Sequence, residues 1–121
     1  MNLKEIKHER KMDVRTTRTP KITISKDGLV YINTSAARLM GARLWRGFSL
    51  FLNENKGVEL YISGKKPADK ERKGSVRAGR LAADVYRKVC DIFERKYDEK
   101  LIFKVHNMPV DGKYWLLIIE E

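Results

Sequence analysis

Apolar and polar residues alternate with period two in several runs of this chain, and once with a period near 3.6. Ile22-Thr23-Ile24 puts two isoleucines on one face of a half-buried strand, and Leu29-Val30-Tyr31-Ile32 continues as a second. Asp27-Gly28 between them is a type I′ turn signal, so the two runs make a hairpin. Asn33 or Thr34 can cap a short helix over 35–40, with Gly41 placed for a left-handed exit. Two further strands are predicted over 48–52 and 58–63, joined by a polar loop over 53–57. Leu81, Val85, Val89 and Ile92 form a helical stripe, widened by Ala82, Tyr86 and Phe93. That stripe predicts a longer helix with Val85 and Val89 against the sheet and Arg87 and Glu94 in solvent. Asp84 with Lys88, and Asp91 with Arg95, are i, i+4 pairs on its wet side. Strands over 101–106 and 113–119, with a second Asp-Gly turn at Asp111-Gly112, close the chain.

Strands dominate, with one long helix and one short one, which makes this an α+β fold in a small strand-rich domain. Residues 1–20 have too few apolar positions to pack and are expected to be a mobile basic arm carrying Lys4, Lys7, Arg10, Lys11, Arg15 and Arg18. Residues 21–63 form a β subdomain, 64–74 a basic loop, and 75–121 an α+β subdomain packed on the first. The two larger segments look alike. Residues 28–39 align without gaps on 74–85, each running through Gly, Val and Ala-Ala into a helix and then two strands. Four of the twelve positions are identical, so an internal β-α-β-β duplication and a chance match are both compatible with it.

Charge changes the picture more than composition does. The 121 residues include 26 Lys and Arg against 16 Asp and Glu, a formal charge of +10. Such an excess draws polyanions, because every neutralised phosphate releases condensed counterions. The cations that stand in predicted loops or near helix ends are Lys26, Arg38, Arg43, Arg46, Lys65, Lys66, Arg72, Lys73, Arg77 and Arg80, with Lys70 in the same dense loop. These are the candidate nucleic-acid contacts; the competing reading of the loop is a solvated stretch that keeps the protein soluble. Tyr31, Phe48, Phe51, Tyr61, Phe103, Tyr114 and Trp115 lie on predicted strands and are expected mostly in the core. Trp45, in a loop between Leu44 and Arg46, is the best candidate for an exposed ring, though it can equally be a lid on the core.

Catalytic chemistry has little to work with. His8, His106 and Cys90 make no zinc spacing, Gly64-Lys65-Lys66 lacks the rest of a phosphate-binding loop, and no pair of carboxylates stands out. No catalytic residue, metal ligand or cofactor is expected, and the chain reads as a non-enzyme. Cys90 is the single cysteine, so no internal disulfide can form, and it reads as a packed small hydrophobe. No apolar run approaches the roughly 20 residues that span a bilayer, and the N-terminus lacks a secretory h-region. The expected compartment is a reducing one, the cytoplasm, with nucleoid association if the source is bacterial.

The run Ile22-Thr23-Ile24-Ser25-Lys26-Asp27-Gly28-Leu29-Val30-Tyr31-Ile32-Asn33, followed by Arg38-Leu39-Met40-Gly41, resembles the swapped-hairpin domain of AbrB-type transition regulators and MazE-type antitoxins, the SpoVT-type fold. In that pattern a Gly-x-Val-x-Ile-Pro strand leads into a short helix ending in Leu-Gly. Asn33 stands where the family has Pro, and Gly47-Phe48-Ser49-Leu50 where its Gly-Asp turn and apolar strand follow. The resemblance covers residues 21–63. It implies a dimer of interleaved hairpins, or a pseudo-dimer if one chain supplies both halves, presenting basic residues to DNA. The leading expectation is therefore a protein that binds duplex DNA through backbone charge, as a regulator or antitoxin-like partner. The same charge would serve an RNA- or ribosome-associated protein, or a structural accessory protein of a phage or mobile element.

Overall fold

Alternation along each strand decides which of its side chains enter the core, and pairing across strands decides where the core sits. The computed structural model describes residues 19–53, 59–66 and 68–120. Residues 1–18 of the arm expected over 1–20, and residues 54–57 of the loop expected over 53–57, lie outside them. Among the described residues the chain runs β1 (Lys21–Ile24), β2 (Leu29–Ile32), α1 (Thr34–Met40), a 3-10 turn (Ala42–Leu44), β3 (Gly47–Asn53), β4 (Glu59–Lys65), β5 (Val76–Arg80), α2 (Ala83–Ile92), β6 (Leu101–Val105) and β7 (Trp115–Ile119). The strands form one seven-stranded antiparallel sheet in the order β3-β4-β7-β6-β1-β2-β5. Residues 21–63 and 75–121 thus share a single sheet, since β1 pairs with β6, β2 with β5 and β4 with β7.

The sheet curls until its two edges face each other: a β-carbon built on Gly79 of β5 would stand 3.5 Å from Phe48 Cε1 on β3. Inside the curl lie Ile22, Ile24, Val30, Ile32, Leu60, Ile62, Leu101, Phe103 and Leu117, every second residue of their strands. Among the described residues no helix is long and apolar enough to cross a membrane.

The β1–β2 turn differs from the type I′ expectation. Ser25 N–H donates to Leu29 O at 2.9 Å and Gly28 N–H to Ser25 O at 2.9 Å, which leaves three residues in the loop. Only Gly28 has positive φ there, at 87°, whereas type I′ needs two such residues. Gly28 also lets Leu81 dock on the hairpin: Leu81 N–H donates to Gly28 O at 2.8 Å, and a β-carbon would stand 2.9 Å from Leu81 O. At the second Asp-Gly pair both φ values are positive, 54° at Asp111 and 73° at Gly112.

Asn33 caps α1, accepting from Ala36 N–H at 2.8 Å, and Gly41 ends it with φ 70°. The Asn33 side chain also accepts from Lys21 N–H at 3.1 Å and donates to Thr19 O at 3.0 Å. Val105 N–H donates to Pro20 O at 3.0 Å. Thr19 and Pro20 therefore belong to the sheet's start rather than to an arm.

Two corrections concern the second half. Arg77, read with Arg80 as lying near a helix N-terminus, sits inside β5, while Arg80 ends that strand two residues before the α2 N-cap at Ala82; Tyr31 pairs with Arg77 and Leu29 with Arg80 across a bulge. Val-Arg-Ala-Gly-Arg carries no period-two apolar signal; its pairing with β2 makes it a strand. The face of α2 also differs from the predicted stripe. Tyr86, Val89 and Cys90 are buried, with Phe93 packed against them, while Val85 is 37% exposed. The helix turns its larger rings inward: Phe93 meets Phe103 edge-on at 5.3 Å, and Tyr86 Oη donates to Glu99 O. Burial first, then the neighbouring Cys90, pushes the Tyr86 phenol up to about 12, and burial likewise raises the Cys90 thiol. On the wet side Asp84 and Lys88 do not come within ion-pair distance, and Asp91 instead accepts from Tyr97 Oη at 2.8 Å.

Candidate nucleic-acid interface

The candidate surface is organised around Trp45, which of the two open readings, exposed ring or lid on the core, takes the second. The ring is 3% exposed. Its indole lies flat over Gly64, where a β-carbon would come to 2.0 Å from Cδ2 and Cε2. With Trp45 turned inward in extended backbone, its neighbour Arg46 faces solvent, and Arg46 N–H donates to Lys65 O at 2.7 Å.

After β4 the chain runs back along this 3-10 turn. Ala68 N–H donates to Leu44 O at 2.7 Å and Arg72 N–H to Arg43 O at 3.0 Å. Side chains close the segment from both ends: Arg43 Nε donates to Gly74 O at 3.2 Å, and Arg72 Nη1 to Arg77 O at 3.1 Å. The Arg77 guanidinium in turn lies 5.8 Å from the centroid of the Tyr31 ring. Lys66 Nζ lies beside Gly41 at the C-terminal end of α1, the end that favours a cation, and the exposed Arg38 sits in that helix's last turn.

Backbone and side-chain bonds therefore bring Arg43, Arg46, Lys65, Arg72 and Arg77 into one surface, with Lys66 and the exposed Lys70 and Lys73 on the same segment. Arg43 and Arg72 pin the loop as well as charge it. Lys26 and Arg80 belong to another place: Arg80 Nη1 donates to Asp27 O at 3.0 Å, and both cations line a cavity with Arg87. Arg87 carried no signal in the sequence beyond facing the wet side of a helix.

Among the described residues the salt bridge present is Lys21–Glu120, at 2.9 Å, and none of the ten candidate cations pairs with a carboxylate. Two aromatics expected in the core lie outside it, Tyr31 at 39% and Phe51 at 43% exposure. They occupy the outer face of the curled sheet, where Phe51 meets Tyr114 edge-on at 5.2 Å. Among the described residues no three His, Cys, Asp or Glu side chains gather as metal ligands. No family model, curated protein or solved structure matches the chain.

Proposed function

We propose that this chain is a non-enzymatic protein that holds duplex DNA by its backbone phosphates, in the manner of the swapped-hairpin regulators and antitoxins that residues 21–63 resemble. The observation that carries this reading is the gathering of Arg43, Arg46, Lys65, Arg72 and Arg77 around one segment with no described carboxylate paired to them. Asp69 and Glu71 stand on the same segment without pairing to these cations, which outnumber them, and a phosphate chain relieves the remaining repulsion while releasing its own counterions. Contacts of this kind position a protein on a duplex without reading its bases.

Gel shifts with duplex DNA, single-stranded DNA and structured RNA at two salt concentrations test it. The informative variant replaces Lys65, Lys66, Lys70 and Lys73 by Ala, because Arg43 and Arg72 also hold the loop together. All four lysines are exposed, so each change should alter stability by no more than about 0.5 kcal/mol. The slope of log affinity against log salt for duplex DNA should shrink by about 3–4, at about 0.9 per phosphate contact. An unchanged slope would assign the segment to solubility alone.

The element order supports the further reading that one chain supplies both halves of a pseudo-dimer. The succession β2-α1-β3-β4 repeats as β5-α2-β6-β7, and the equivalent strands β2 and β5, like β4 and β7, pair antiparallel as they would across a two-fold axis. Among the described residues β1 has no counterpart strand, which leaves β3 and β5 as the edges. Light scattering at micromolar concentration should then read a monomer; a stable dimer would count against the pseudo-dimer.

A further inference from the structure

We infer that the cavity between the β1–β2 turn and α2 binds a phosphomonoester dianion, the group carried by a nucleic-acid strand end or by a free phosphorylated small molecule. This site does not depend on the duplex-binding reading, because it lies apart from the segment after β4 and is tested without DNA.

The cavity has a volume of about 380 Å³ and takes cations from three elements: Lys26 from the turn, Arg80 from β5 and Arg87 from α2. That size falls within the range of small-ligand pockets, roughly 300–1,000 Å³. Two of the three cations are held in place before any ligand arrives. Arg80 Nη1 donates to Asp27 O at 3.0 Å. Arg87 lies over the Tyr97 ring, 5.9 Å from its centroid, and Tyr97 is itself fixed by its bond to Asp91 Oδ1 at 2.8 Å. Fixed donors lose little freedom on binding, which favours affinity.

Charge names the ligand class. Among the described residues Asp27 is the one carboxylate lining the cavity, so three cations less one anion leave a surplus of two positive charges. A phosphomonoester carries about −1.5 to −2 at neutral pH, which matches that surplus, and an internal diester of a nucleic-acid backbone carries only a single charge. A second cavity that shares Arg87 and Tyr97 is lined by Asp84 and Asp91 but also by Lys88, so its charges balance, and the surplus of positive charge belongs to the first.

The test follows backbone amide resonances of Gly28, Leu81, Ala83 and Arg87 during titration at neutral pH. Three probes are used: inorganic phosphate, a 5′-phosphorylated trinucleotide, and the same trinucleotide ending in a 5′-hydroxyl. Inorganic phosphate and the phosphorylated trinucleotide should both saturate shifts at these amides, and the hydroxyl form should bind there at least about tenfold more weakly, the loss expected for one charge-assisted contact. Equal affinity for the first two names a free phosphorylated ligand; tighter binding of the phosphorylated trinucleotide names a strand end. Arg87→Gln and Lys26→Gln should each weaken the inorganic phosphate titration by about tenfold while melting as the parent does, since both side chains are exposed. Shifts confined to residues 66–75, equal binding of the hydroxyl trinucleotide, or variants that bind as the parent does would each overturn the assignment, whatever the gel shifts show.

Discussion

Gly64→Ala should lower the unfolding free energy by about 3 kcal/mol and expel the Trp45 indole into water. The added methyl would come to 2.0 Å from two ring atoms, and neither side can give way cheaply. Gly64 sits in the β3–β4 ladder opposite Phe48, so moving its backbone would break register along both strands. The ring is therefore the part that moves, and it forfeits nearly complete burial. Displacing it also loosens the 3-10 turn that receives Ala68 N–H at Leu44 O and Arg72 N–H at Arg43 O. Under the proposed DNA binding, affinity should consequently fall although no charge has been removed. Urea melts followed by tryptophan fluorescence in a Trp115→Phe background read both effects. Gly47→Ala is the control, since nothing lies within 4 Å of its added carbon. If Gly64→Ala melts like that control, the indole does not lie on Gly64.

Val89→Asp should cost about 3–5 kcal/mol, while Val85→Asp, four residues earlier on the same helix, should cost almost nothing. Val89 is buried with Tyr86 and Cys90, so a carboxylate there would have neither water nor a counter-charge. Val85 is exposed near the start of α2, where a negative charge suits the helix dipole. The predicted stripe through Leu81, Val85, Val89 and Ile92 would make both changes severe. Equal losses in urea melts would restore that stripe, and tolerance of both would mean that α2 packs by another face altogether.

Much of the fold is legible because its signals are local. Short apolar runs, alternating in β1 and nearly continuous in β2 and β7, mark β1, β2, β3, β4, β6 and β7 to within two residues. Asn33 and Gly41 mark the ends of α1, because a helix leaves amides and carbonyls that a cap or a left-handed residue satisfies. The excess of basic residues, and the loop that concentrates it, are properties of composition and need no structure.

What the tertiary structure alone decides are the features that depend on partners distant in sequence. β5 is a strand because β2 offers it a ladder, not because Val-Arg-Ala-Gly-Arg favours one. α2 has apolar residues on a wide arc, and only the position of Phe103 across the sheet selects the face with Tyr86 and Phe93 over the face with Val85. Trp45 has no periodic neighbour to betray its direction; a missing side chain at Gly64, nineteen residues on, makes its berth. Lys26 is separated along the chain from Arg80 and Arg87 by β2, β3 and β4, and meets them because Leu81 docks on the hairpin at Gly28. Propensity and turn chemistry act over a few residues, whereas burial and charge convergence are set by which surfaces the curled sheet brings together.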